Sequence, residues 1–174
     1  MADAAEIVSY AEELGFDRCG IIPVEMMSGY ENKLNERMEH FPQTRAKYED
    51  FISFAHLNDA YPWAKSVVVC SFWYGRYRIP DKLQGSIAKY YLTDGRRNAE
   101  SQGFQASAAF ENYLKGCGFQ TATDRDFGIT ALRWAAMQAG LGIVRKNNFF
   151  YTEKGSYQHL EAFLIDEPLK YIAG

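Results

Sequence analysis

The sequence predicts an α+β fold, a layered sheet flanked by helices and built as a single domain. Three observations carry this expectation. Val67-Val68-Val69-Cys70-Ser71-Phe72-Trp73-Tyr74 is a nearly continuous apolar, β-branched and aromatic run, as a central strand covered on both faces requires. Gln105 to Gly116 places Ala106, Ala109, Phe110, Tyr113, Leu114 and Cys117 on one helical face. The elements run helix, strand, helices, central strand, long loop, helix, strand, helix, hairpin. Strands without regular crossover helices speak for α+β layers rather than a doubly wound sheet.

Taken in order, Ala4 to Leu14 reads as an amphipathic helix through Ile7, Val8, Tyr10, Ala11 and Leu14, stopped at Gly15. Phe16 to Ile22 reads as a strand closed by Pro23. Ser28 and Glu31 stand at capping-box spacing, and Tyr30, Leu34, Met38 and Phe41 then recur at helical intervals, which predicts a helix on the surface of the sheet. Thr44 to His56 carries a shorter helical pattern with Tyr48, Phe51, Ile52 and Ala55 on one face; Asn58 to Pro62 reads as a turn. Gly75 to Asn98 has the composition of a loop. Its basic and aromatic side chains either meet a phosphate-rich ligand or an RNA backbone, or face water while the tyrosines pack down. Gly116 and Gly118 end the following helix, and Phe119 to Thr123 alternates as a strand. Thr130 to Ala139 is a helix of small and apolar residues ended by Gly140. Phe149-Phe150-Tyr151-Thr152 is expected to turn at Glu153 to Ser156 and pair with Tyr157 to Ile165. Along that second strand His159 alternates with Glu161, Phe163 and Ile165, a pattern that reads as sheet surface.

A chain of 174 residues with a net charge of −3 is long enough to bury a core without disulfides or structural metals. The charge is uneven. Residues 1 to 60 hold 12 acidic and 5 basic side chains, whereas Gly75 to Arg97 holds six basic and two acidic ones, so a polyanion would bind there. Cys19, Cys70 and Cys117 are far apart in apolar or small-residue settings and read as buried thiols. No leader-like opening and no apolar run of membrane-spanning length is found, so a cytoplasmic protein without a membrane partner is expected. His40, His56 and His159 lack metal-ligand spacing, and no nucleophile triad, zinc motif or glycine-rich phosphate loop can be nominated.

Ala139-Gly140-Leu141-Gly142 followed by Lys146-Asn147-Asn148 joins a helix end, a tight glycine turn and polar donors. Such a segment admits close backbone approach and can hold a large polar cofactor; it can equally be only a helix stop before a hairpin.

Asp126, Arg133, Ala139-Gly140-Leu141-Gly142, Lys146-Asn147 and Gly155-Ser156 together resemble the signature segment of epoxyqueuosine reductases, cobalamin- and iron-sulfur-dependent enzymes of transfer-RNA modification related to the reductive dehalogenases. Glu13 to Ile21 is similar to the opening helix and strand of that family. The resemblance implies a nitroreductase-like layered fold over residues 1 to 174, acting as the N-terminal cobalamin-binding domain of an iron-sulfur oxidoreductase. It places the corrin against residues 75 to 98 and the glycine turn at 140 to 148.

Asp126 falls on the family's proton-donor aspartate, a role suited to a partly desolvated carboxyl that can hold a proton near neutral pH. Asp124 would take the role after a slip of two residues, and either aspartate could instead cap the following helix. Arg133 matches the arginine of a Glu-Arg pair whose glutamate position holds Leu132. Gly140, Leu141, Gly142, Lys146, Asn147, Gly155 and Ser156 are implied as cofactor-binding, and so is Tyr90, within a Lys89-Tyr90-Tyr91 that resembles the family's Arg-Tyr-Ala. The sequence departs from the family at Ile129, Ile143 and Arg145, and Asp94 to Asn98 lacks the family's histidine. A divergent branch, with another substrate or no catalysis, fits those departures. Cysteine spacings for a cluster are absent, so iron-sulfur clusters are expected only in a missing C-terminal part. The alternatives are a flavin-binding nitroreductase-like enzyme and a non-catalytic cofactor- or RNA-binding module, any nucleic acid meeting residues 75 to 97.

Overall fold

The computed structural model describes residues 2–93 and 98–174, and it has the expected α+β build in one domain. Helix α1 (Ala4–Glu13) opens with a capping box: Asp3 accepts from the Ala5 and Glu6 amides, and Glu6 accepts from the Asp3 amide. Gly15, at φ 97°, ends it and leads to β1 (Arg18–Pro23). Helix α2 (Gly29–His40) buries Leu34 and Met38, but the expected box at its start does not form. Ser28 is itself in a helical conformation and donates to the Glu25 carbonyl, while Glu31 pairs with His56 at 2.9 Å. Two short helices follow, α3 (Arg45–Glu49) and α4 (Leu57–Ala60), with a 3-10 turn at Ile52–Ala55 between them. Helix α4 occupies the place where a plain turn was expected.

Strand β2 (Ser66–Trp73) is followed by the long loop, then α5 (Gln102–Gly116), β3 (Thr121–Ala122), α6 (Leu132–Gln138), β4 (Ile143–Val144), β5 (Phe150–Tyr151) and β6 (Gln158–Ile165). The main sheet is antiparallel throughout, in the order β1-β2-β6-β3, so β2 is central as its composition demands. Its alternate side chains enter two cores. Val67 and Val69, with Leu160, Ala162 and Leu164 of β6, pack on Ala135, Ala136 and Ala139 of and after α6. Val68, Cys70 and Phe72, with Phe163 and Ile165, pack on Ile7 of α1 and on Phe110 and Leu114 of α5. Cys19 and Cys70 face each other across β1 and β2 as buried free thiols, Sγ to Sγ 3.5 Å.

The hairpin expected near the end of the chain is not the one that forms. Phe150 and Tyr151 pair backwards with Val144 and Ile143, through a tight turn in which Asn148 takes φ 62°, its amide donates to the Arg145 carbonyl, and Asn147 Oδ1 accepts from the Phe149 amide. The Gly155 bend, at φ 92°, closes only a single bridge to Thr152. Strand β6 is therefore free to insert between β2 and β3, where its apolar run is buried. Turn chemistry at Lys146-Asn147-Asn148 outcompetes that at Glu153 to Ser156 because an asparagine in the left-handed region and an Asx bond close a two-strand ribbon locally.

Candidate functional site

Strand β3 is only two residues long and pairs with Leu164 and Ile165 alone. Beyond it the Thr123 hydroxyl covers the Ala162 carbonyl at 2.8 Å, and the chain then leaves the sheet. The rest of the outer edge of β6 faces a cleft of about 750 Å3, within the range of roughly 300–1,000 Å3 usual for small-molecule sites. Gln158, His159, Leu160 and Glu161 form its floor, the loop after β3 and the start of α6 one wall, and Tyr30, Lys33 and Arg37 of α2 another.

The loop wall is built residue by residue. Asp124 Oδ1 accepts from the amides of Asp126 and Phe127, an Asx turn that folds the loop; helix α6 starts only at Leu132 and has no side-chain cap, so neither aspartate caps it. Arg125 also lines the cleft, with its guanidinium tied to α5: Nε donates to Ser107 Oγ at 2.5 Å and Nη2 to Glu111 at 2.6 Å. Asp126 lines the cleft and is exposed. Phe127, 70% exposed, stacks on Phe51 and Phe54 with ring centroids 6.3 and 6.1 Å away. Asp126 is thus carried on a short loop fastened on either side, by a cation to α5 and by an aromatic ring to the 3-10 turn at Ile52–Ala55.

A desolvated carboxyl is found at another residue of the cleft, Glu161. It is 5% exposed, accepts from Ser107 Oγ at 2.5 Å and lies 3.5 Å from Arg125 Nε. Burial pushes its pKa up to about 7, against the pull of the Ser107 hydroxyl and the Arg125 charge. Glu111 differs although burial also raises it, because the hydrogen bonds from Lys115 and Arg125 outweigh burial and hold its carboxyl below the usual value. Burial raises the phenols of Tyr30 and Tyr74, which also line the cleft; at Tyr30 this works against the nearby Arg133 and Arg37.

Of the residues singled out in the sequence, Asp126, Arg133, Tyr90 and Ser156 line this cleft, and so does Asp124. Arg133 Nη1 donates to the Asn148 carbonyl at 2.8 Å, tying α6 to the ribbon turn. Tyr90 meets the rings of Tyr74 and His159 edge-on or tilted, at 5.8 and 5.9 Å. Gly140, Leu141, Gly142, Lys146, Asn147 and Gly155 are not part of the cleft lining. Leu141 is buried in the core, Gly140 takes φ 72° beside Ala173, and a Cβ on Gly142 would collide with the Tyr151 carbonyl. Their common effect is to set the β4–β5 ribbon against α6, with Asn147 Nδ2 donating to Tyr151 OH at 2.9 Å. Glu161, Ser107, Arg125 and Gln158 were not singled out. The one signal for Glu161 was a carboxylate inside an otherwise apolar run.

The basic strip is partly tied down. Arg76 lies over the Phe72 ring at 5.2 Å, Lys89 donates to the Gly75 carbonyl at 3.0 Å, and Arg78 pairs with Asp81 at 2.9 Å. Asp94 to Arg97, including Arg96 and Arg97 of the strip, lie outside the described residues. Among the described residues no helix is long and apolar enough to cross a membrane.

An α+β domain with a cleft at the open edge of its sheet and an aspartate loop on its lip defines the class. Within that class the chain has the fold of epoxyqueuosine reductases. It superposes on the Streptococcus thermophilus enzyme with a TM-score of 0.68 at 20% identity, covering 98% of this chain and 48% of that one. The same enzyme type with an epoxyqueuosine-modified tRNA-Tyr stem loop gives 0.67 at 21% identity, covering 98% and 47%. The Bacillus subtilis enzyme, with its catalytic aspartate loop swung out of the active site, gives 0.65 at 18%, with the same coverage. The chain spans about half the length of these neighbours. No family model and no curated protein matches it.

Proposed function

We propose that this chain is a cobalamin-binding domain of an epoxyqueuosine-reductase-like oxidoreductase, corresponding to the N-terminal part of such an enzyme. The observation that carries the reading is the aspartate loop on the lip of a large, partly aromatic cleft, in a fold shared with enzymes one of which is described by its movable catalytic aspartate loop.

The residues present fit a corrin. The cleft offers flat apolar surface at Phe127 and Phe149, which are 70% and 58% exposed, and cations at Arg133 and Lys33. Gln158 Oε1 is buried at the cleft floor without a hydrogen-bond partner among the described residues, an acceptor suited to the amide donors around a corrin rim. When bound, cobalamin would supply electrons at its cobalt to a substrate carbon. Asp126 would stand beside the substrate as a proton donor, Arg133 would fix an amide or phosphate fringe while keeping the ribbon in place, and the Phe51, Phe54 and Phe127 rings would exclude water.

An iron-sulfur cluster does not fit this chain: Cys19 and Cys70 are buried within the sheet and Cys117 lies at the end of α5. Electrons are therefore proposed to arrive from a separate iron-sulfur part or partner.

The test is an anaerobic titration with cob(II)alamin and, separately, with flavin mononucleotide, followed by visible absorption and repeated with Asp126→Ala. Saturable binding with a changed cobalt spectrum, altered again in the variant, is the expected result. Flavin binding alone would replace this reading with a nitroreductase-like one, and binding of neither would leave a non-catalytic module.

A further inference from the structure

Reducing a neutral substrate to a neutral product by two electrons also consumes two protons. The balance is S + 2e− + 2H+ giving SH2, or product and water where a C–O bond is cut. One exposed aspartate on a loop accounts for one of them. We propose that Glu161 is the second proton donor of the cleft, acting beside Asp126 in the reduction proposed above, with electrons from a low-potential iron-sulfur reductant. The inference rests on that reading of the site.

The geometry suits a donor. Glu161 forms part of the cleft floor on β6, held by β2 along one edge while the other edge borders the cleft, and its residue is 5% exposed. Its surroundings are arranged for both protonation states. Ser107 Oγ donates to Oε1 at 2.5 Å, and Arg125 Nε, 3.5 Å from the same oxygen, can carry part of the charge left behind when the proton departs. That guanidinium is not committed to Glu161: Nη2 is held at 2.6 Å by Glu111, which also binds Lys115 at 2.6 Å. Cys70 stands opposite Glu161 on β2, and His159 lies two residues before it on β6. The Cys70 thiol is raised well above its usual value by burial and brings no negative charge at neutral pH. Burial then tips Glu161 toward the acid form, with a pKa of about 7. In the step itself the O–H bond of Glu161 breaks, the proton goes to the substrate's reduced carbon or departing oxygen, and the resulting carboxylate takes a proton from water.

The residue that joins the two acids is Arg125. It is the sequence neighbour of Asp126 and the contact of Glu161, so one side chain sets the position of both.

Dicyclohexylcarbodiimide, an apolar reagent that adds to protonated carboxyls, reads the proposal directly on the whole chain. At about pH 7, peptide mass mapping should find the adduct on Glu161, with labelling falling about tenfold per pH unit above its midpoint. Ser107→Ala and Arg125→Met should each carry the labelling to higher pH, because the carboxylate loses a partner. No adduct on Glu161 between about pH 6 and 8, or labelling that dies away in the ordinary carboxylate range near 4, would overturn the role. In a chain saturated with hydroxocobalamin the adduct should drop several-fold. Undiminished labelling on a chain that spectroscopically holds cobalamin removes only this role. If cobalamin does not bind at all, the proposed function falls and this role with it.

Discussion

Glu161 and Asp126 border the same cleft in opposite surroundings, one buried against Ser107 of α5 and the other exposed. The difference has a consequence for stability. The folded-state pKa of Glu161, about 7, lies above its unfolded value, so the folded chain binds a proton that the unfolded chain releases. This contribution is fully present below about pH 4.5 and is lost as pH rises through 7, on the order of 3 kcal/mol in all. Urea unfolding measured at several pH values should show stability declining over that window, and Glu161→Gln should flatten the decline. A second expectation concerns Asp124: removing its carboxyl in Asp124→Ala strands two loop amides and should cost about 1 kcal/mol, with faster hydrogen exchange at Asp126 and Phe127. Residues of this kind were the least legible in the sequence. The alternation of His159, Glu161, Phe163 and Ile165 gives a strand face correctly, but whether water or a helix covers its polar end is decided by where α5 docks, more than forty residues earlier in the chain.

Elements were easier to read, in proportion to how local their causes are. Helices α1 and α5 follow from apolar spacing and glycine stops, and the central β2 from its unbroken apolar run. The ribbon was misread because strand partners are a matter of competing turns, and Asn148 at φ 62° wins. The glycine turn expected to touch a cofactor serves the ribbon instead of the cleft lining. Gly142→Ala should therefore cost about 1–3 kcal/mol through the clash with Tyr151, and should loosen Arg133 from the Asn148 carbonyl. Chemical denaturation and hydrogen exchange at Phe150 and Tyr151 would check it; an unchanged midpoint would mean the ribbon can shift at no cost.

At the scale of the molecule, the cleft exists because β3 stops after two residues and leaves the edge of β6 bare. No spacing in the sequence announces this, whereas the α+β class was legible in the order of helical and strand patterns. The basic strip gives a further expectation. A polyanion such as heparin should bind along Arg78 and Lys82, both exposed on that strip. Its affinity should fall steeply with salt, and the double Ala variant should lower the log–log slope by roughly 2. A salt-independent affinity would refute polyanion contact there.

The pairing of β2 with β6 sets Cys70 opposite Glu161 and joins the sheet's two inner strands from distant parts of the chain. Local helices can form within microseconds, but closing so long a loop precedes any reward from sheet burial. Refolding should accordingly be slow and all-or-none. While β6 is still emerging from a ribosome, β2 would wait with both edges unpartnered or with β1 alone, so the nascent chain depends for its solubility on how briefly that interval lasts.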